Sequence, residues 1–170
     1  MKKYEIGLYE KAMRNTLTWK EKLQCAKECG YDYLEISIDA TEEKINRIYM
    51  DTEEKREIME AIFDTGIPIG SMSVSALTKY ALGDPDQAVR DRGMEIAEKS
   101  IQLSSALGVR TVMIPGYDIY YGESTIETKR YFLENIRKIA EIAEREGILV
   151  GFETMENNFM NTTGKAVQYV

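Results

Sequence analysis

Four times along the chain, a stretch with helical hydrophobic period ends at a glycine and gives way to a β-branched or aromatic run. The pairs are Gly30 before Tyr31 to Ile38, Gly66 before Ile67 to Val74, Gly108 before Val109 to Ile114, and Gly147 before Ile148 to Phe152. A further run, Tyr4 to Tyr9, precedes the first helical stretch. The glycines recur roughly every 40 residues, the length of a strand, a loop, a helix and a return turn. This predicts a βα repeat. Helix starts agree with it: Thr18 is followed by Glu21 and Ser124 by Glu127 at capping-box spacing, and Asp84 stands before Pro85. In the clearest helix, Phe132, Ile136, Ile139, Ala140 and Ala143 form an apolar stripe opposed by Glu134, Arg137, Lys138, Glu141 and Glu144. Such a stripe predicts a helix lying on a sheet. The strands, typified by Thr111-Val-Met-Ile-Pro115, are nearly continuous in hydrophobicity, which predicts burial on both faces and a parallel sheet.

Five strands and four to five helices fit either an open doubly wound sheet or a (β/α)8 barrel cut short. A doubly wound sheet would cover its last strand with a full helix. Here the chain passes from Gly151-Phe-Glu-Thr-Met155 through a polar loop into Lys165-Ala-Val-Gln-Tyr-Val170, about two helical turns. The expectation is therefore an α/β chain, a truncated (β/α)8 barrel forming one domain over residues 1–170. A complete barrel of about 250 residues would hold roughly three more units.

Composition narrows the partners. The 170 residues are 44% hydrophobic and 30% charged, sufficient for a substantial core. A net charge of −7, with basic residues interleaved among acids, argues against a nucleic-acid surface while leaving room for a local anion site. No apolar run approaches the roughly 18 residues that span a bilayer, and Met1-Lys2-Lys3-Tyr4-Glu5 lacks the apolar stretch of a signal peptide. A cytoplasmic protein is expected. Cys25 and Cys29, one helical turn apart, read as reduced thiols. With no histidine and no second cysteine pair, they make a poor zinc site.

Six segments then carry a resemblance: Gly7-Leu-Tyr-Glu-Lys-Ala12, Glu35-Ile-Ser-Ile-Asp39, Ser71-Met-Ser-Val-Ser-Ala76, Leu82-Gly83, Gly116-Tyr-Asp-Ile-Tyr-Tyr121 and Glu153-Thr-Met-Glu-Asn-Asn-Phe-Met-Asn161. In order and spacing they resemble the strand ends of the L-ribulose-5-phosphate (L-xylulose-5-phosphate) 3-epimerases, xylose-isomerase-like TIM barrels, over essentially the whole chain. The resemblance implies C3 epimerisation of a ketopentose 5-phosphate in pentose or ascorbate catabolism, with a divalent metal (Mn, Mg or Zn). The C3 proton is acidic because the C2 carbonyl can accept charge as an enediolate. The site therefore needs an electrophile on that oxygen and acid/base groups on both faces of the carbon.

On this resemblance Glu153 falls at the first metal-binding, acid/base glutamate. Glu156, Lys11 and Tyr117 are candidate substrate contacts, Lys11 as a point charge for a sugar phosphate. Asp118 could line the same pocket, and Glu35 could face either the pocket or a helix. Two departures stand against this assignment. Leu77 occupies a position where the family has a histidine, and the family's remaining ligands, an aspartate, a histidine and a second glutamate, are expected beyond Val170 together with most of its phosphate-binding region. A single carboxylate would hold a divalent cation only weakly. The 170 residues alone are thus expected to bind metal poorly and to be inactive. Two other readings remain open. One is a non-catalytic assembly or scaffold protein that forms a homo-oligomer through exposed sheet edges; the other is an epimerase of an unphosphorylated ketose. A nuclease of this barrel class would need a basic surface and a histidine-rich zinc cluster.

Overall fold

The computed structural model describes residues 4–170. Five strands, β1 (Gly7–Tyr9), β2 (Tyr33–Ser37), β3 (Ile69–Ser73), β4 (Thr111–Pro115) and β5 (Leu149–Glu153), form one parallel sheet in the order β1-β2-β3-β4-β5. That order separates the two candidate architectures. A doubly wound sheet reverses direction at a switch point and carries helices on both faces. Strictly sequential strands with right-handed crossovers keep every helix on one face, as in a barrel wall. Those helices are α1 (Trp19–Glu28), α2 (Glu42–Asn46), α3 (Thr52–Thr65), α4 (Gln87–Ala106), α5 (Ile126–Glu146) and the short α6 (Thr163–Ala166). None of the described helices is long and apolar enough to cross a membrane.

The four repeat glycines end or follow their helices in the left-handed region, at φ 80°, 74°, 72° and 66°, where a side chain would be strained. The helix starts are partly shifted from expectation. Thr18 and Glu21 do form a capping box, but α5 is capped by Thr125 with Thr128, and α4 by Asp86 rather than Asp84. Ser124 instead donates to Asp118, and the Asp84 carbonyl accepts from Arg90. Two acceptors one or two residues apart compete for the same exposed amides, and loop geometry selects between them.

The core lies between the sheet and the helices. Leu34, Ile36, Met72, Val112 and Ile114 point outward into it and meet Leu23, Ile58, Ile96, Ile101, Phe132 and Ile139. The alternate strand positions face the barrel interior, and here the expectation of two apolar faces fails. The inward residues include Tyr9, Glu35, Ser37, Ser71, Ser73 and Thr111, and register places Tyr9 beside Glu35, Glu35 beside Ser71 and Ser37 beside Ser73. Ser71 Oγ donates to Glu35 at 2.5 Å, so Glu35 faces inward rather than towards a helix. The predicted stripe on α5 also ends short. Phe132, Ile136, Ile139 and Ala143 are buried, whereas Ala140 is exposed and lines an open groove with Leu133, Val150 and Phe152.

Candidate functional site

Parallel strands bring their C-terminal ends to one rim, so the side chains at or just past Tyr9, Ser37, Ser73, Pro115 and Glu153 gather there whatever their separation in sequence. Tyr9 directs its hydroxyl to Ser37 Oγ at 3.3 Å and Ser73 Oγ at 3.5 Å, tying the first three strand ends together. Glu153 closes β5 opposite Pro115 in the register, on the inward face, and its side chain is exposed. Its carbonyl accepts from the Gly116 N–H at 3.0 Å, and a Cβ on Gly116 would come within 2.7 Å of that oxygen. The glycine therefore lets the β4 loop close tightly against the strand end that bears Glu153.

Tyr117 and Glu156 form a pair beside it. The Tyr117 hydroxyl donates to Glu156 Oε2 at 2.8 Å. Burial, then the bond to Glu156 and the nearby charges of Glu156 and Glu153, push the phenol well above the ordinary tyrosine range, so it stays a proton donor. Glu156 is correspondingly held below the usual carboxylate range by a backbone hydrogen bond and the Tyr117 hydroxyl. Tyr117, only 4% exposed, holds a carboxylate in place rather than offering a free hydroxyl. Asp118 is fully buried and braces the start of α5 through two side-chain hydroxyls. Oδ2 accepts from Ser124 at 2.7 Å and Thr128 at 2.6 Å, while Oδ1 meets no donor among the described residues.

Across the rim, Lys11 donates to Ser75 Oγ at 3.0 Å and lies 3.6 Å from Asp39. These three line a cavity of about 490 Å³ with Thr41, Thr78, Lys79 and Tyr121. Two ammonium groups against one carboxylate, with four hydroxyls, suit an oxyanion. Leu77 lies beneath this rim, buried in the core, where it packs and can exchange no proton.

One cluster gave no sign in the sequence. Glu10, next to Lys11, turns towards the helix layer and is 1% exposed. Its carboxylate accepts from Lys22 at 2.6 Å, Lys44 at 2.5 Å, both Arg47 terminal nitrogens at 2.6 and 2.7 Å, and the Ser37 N–H at 2.9 Å. The Trp19 ring lies 4.9 Å from the Lys22 ammonium and 4.7 Å from the Arg47 guanidinium. Burial raises the Glu10 carboxyl, but Arg47, Lys22 and Lys44 outweigh it and hold the group far below the usual range. Lys44 moves down too. Its own desolvation and repulsion from Arg47 and Lys22 exceed the pull of Glu10.

Comparison with known proteins gives the family of this fold. A family model described as xylose isomerase-like TIM barrel matches residues 23–170. The chain belongs to that family. Among curated members of the xylose isomerase-like barrels, L-ribulose-5-phosphate 3-epimerase UlaE of Escherichia coli O139:H28 is 38% identical over 168 residues, which is 99% of this chain. The chain spans 59% of the length of that relative. Solved barrels of the same shape include a D-psicose 3-epimerase in the presence of D-fructose, with TM-score 0.80 and 19% identity over 98% of this chain and 58% of that one. A xylose isomerase-like barrel from Mycobacterium smegmatis in complex with magnesium gives 0.73 and 15% over 98% and 60%. The expected barrel fold is thus established.

Whether the chain can hold a metal depends on its donors. Glu153 is the candidate ligand at the rim, and among the described residues no group of three or more His, Cys, Asp or Glu side chains converges for a metal. Hard divalent cations take about six oxygen ligands. The donor set on this chain does not complete such a site. Cys25 on α1 and Cys29 at its C-terminal cap are free thiols, and burial first, then its neighbour Cys29, pushes the Cys25 thiol up.

Proposed function

We propose that this chain carries the N-terminal portion of a sugar-phosphate 3-epimerase site acting on a ketopentose 5-phosphate of the L-ribulose/L-xylulose type. The observation that carries this reading is 38% identity over 168 residues to an L-ribulose-5-phosphate 3-epimerase, with Glu153 at the mouth of the barrel. In this reading the phosphate sits among Lys11, Lys79 and Ser75, and the sugar extends across the rim to the β5 end. Glu156, held by the Tyr117 hydroxyl, accepts from a sugar hydroxyl. Glu153 removes the C3 proton or returns it, the electron pair passing to the C2 carbonyl as the enediolate. In the intact family site a divalent metal would polarise that carbonyl. Because the chain offers one carboxylate of such a ligand set, no step is assigned to metal here.

Epimerisation also needs an acid/base group on the opposite face of C3. The 170 residues by themselves are therefore expected to bind the substrate's phosphate without interconverting the sugars. The check is a coupled assay of L-ribulose 5-phosphate and L-xylulose 5-phosphate with added Mn²⁺ or Mg²⁺. Turnover within about a hundredfold of ordinary enzyme rates, roughly 10 per second, would overturn the inactivity claim.

A second reading, self-association, is favoured by the edge at β5. Leu149 is 71% exposed, and on the opposite, helix-facing side of the same strand a cavity of about 280 Å³ is lined by Leu133, Ile136, Val150, Phe152 and Tyr169. An unpaired strand edge beside apolar surface promotes association. Light scattering is expected to give a dimer or larger, and a concentration-independent monomer would remove this reading.

A further inference from the structure

The Lys11 cavity is backed by more positive charge than its lining residues reveal. Lys22, Lys44 and Arg47 are all buried and all point at Glu10, so this group holds three cations against one carboxylate. Burying an uncompensated charge is costly, and a fold that needed only to neutralise Glu10 could do so with one partner. Connectivity sets this surplus close to the cavity. Glu10 and Lys11 are neighbours in one 3-10 turn, Glu10–Ala12, one side chain towards the helix layer and the other at the rim. Lys44 follows Thr41, whose hydroxyl caps α2 by accepting from the Lys44 N–H and which itself lines the cavity. Arg47 also donates to the Ser37 carbonyl at the end of β2, two residues before Asp39. Asp39 in turn feels the group: burial raises its carboxyl, but Thr41, Lys11 and Lys44 together bring it below the usual range.

We propose that Lys22, Lys44 and Arg47, anchored by Glu10, form an electrostatic backing that draws a phosphate dianion into the Lys11 cavity without touching it. This rests on the reading that the cavity receives the phosphate of the substrate. On a chain of net charge −7, a dianion approaches against the overall field, and surface lysines alone are screened within about 10 Å at ordinary salt. Charges held in the low-dielectric interior behind the cavity are screened much less. They are positioning residues, acting on the ligand through the field and on Lys11 through the shared turn.

The test is titration of the full 170-residue chain with inorganic phosphate, followed by the backbone amide signals of Thr41 and Ser75. Lys22→Met is expected to weaken phosphate binding about fivefold to tenfold. The control is Lys20→Met, which removes the same charge from the same helix at a surface pair with Asp64, and it should change the affinity less than twofold. Lys11→Met should abolish saturable binding. Since loss of one Glu10 partner can cost the fold, the test does not rest on a variant alone. The wild-type chain is also titrated at about 0.5 M NaCl, where a buried field should preserve measurable binding. If Lys22→Met and Lys20→Met shift the affinity equally, or salt abolishes binding in the wild type, the backing is overturned while the cavity assignment stands. If the wild-type chain shows no saturable phosphate binding at low salt, both are overturned.

Discussion

Glu10→Gln lowers the unfolding free energy by about 3–5 kcal/mol at about pH 6, read from urea transitions with unchanged slope. An amide keeps the size of the side chain and one acceptor oxygen. It removes the negative charge that three buried cations share, and these cannot reach water without opening the turn between β1 and α1. The effect also has a definite pH dependence. The folded Glu10 carboxyl titrates below its unfolded value of 4.5, so its contribution is complete above that value. As pH falls below about 4.5 the unfolded chain takes up the proton first, and the contribution shrinks until the folded group titrates. The stability gap between wild type and Glu10→Gln should therefore narrow steadily from about pH 5 to about pH 3. A gap that stayed constant over that interval would mean that Glu10 contributes shape and not charge.

The second large effect is expected at Phe132, where truncation to alanine should cost about 3–5 kcal/mol. This ring is fully buried and serves as the floor for the segment after β5. It packs edge-on against Phe159 with centroids 5.1 Å apart, edge-on against Tyr169 at 5.4 Å, and tilted against Phe152 at 6.0 Å. Phe159 and Met160 are in turn buried residues of the loop that carries Glu156. The same substitution should thus free that loop, and hydrogen exchange at residues 155–160 should quicken before global unfolding. Ile139→Val, another change in the same helix stripe, removes one methyl from a fully buried side chain and should cost no more than about 1.5 kcal/mol without that local signature. Equal exchange profiles in the two variants would show that Phe132 supports the core alone and not the loop.

The barrel's repeating skeleton was readable in the sequence because its signals are local. A glycine forced to positive φ after each helix, and a run of β-branched residues after each glycine, need no tertiary information. The rim positions of Glu153 and Lys11 were legible for a related reason: each stands at a strand end, and strand ends share a rim. What stayed hidden depends on partners far apart in the chain. Glu10 lies 12, 34 and 37 residues from the three cations that bind it, and each of those cations reads locally as an exposed charge on an amphipathic helix. The polarity of the barrel interior was missed because Thr111-Val-Met-Ile-Pro115 is the most apolar strand, whereas Glu35, Ser37, Ser71 and Ser73 line the inner face beside it. The pairing of Tyr117 with Glu156 spans 39 residues and had no local signature either.

The strictly sequential strand order also bears on how the molecule is made. From β2 to β5, each strand pairs with the one synthesised immediately before it. Contacts close at the range of a single βα unit, so each unit can dock on the growing edge as it leaves the ribosome, during synthesis at about 5–20 residues per second. The turn that carries Glu10 and Lys11 would be seated once residue 47 has emerged, when Lys22, Lys44 and Arg47 are all present. The charged heart of the rim is then complete well before Glu153 is translated.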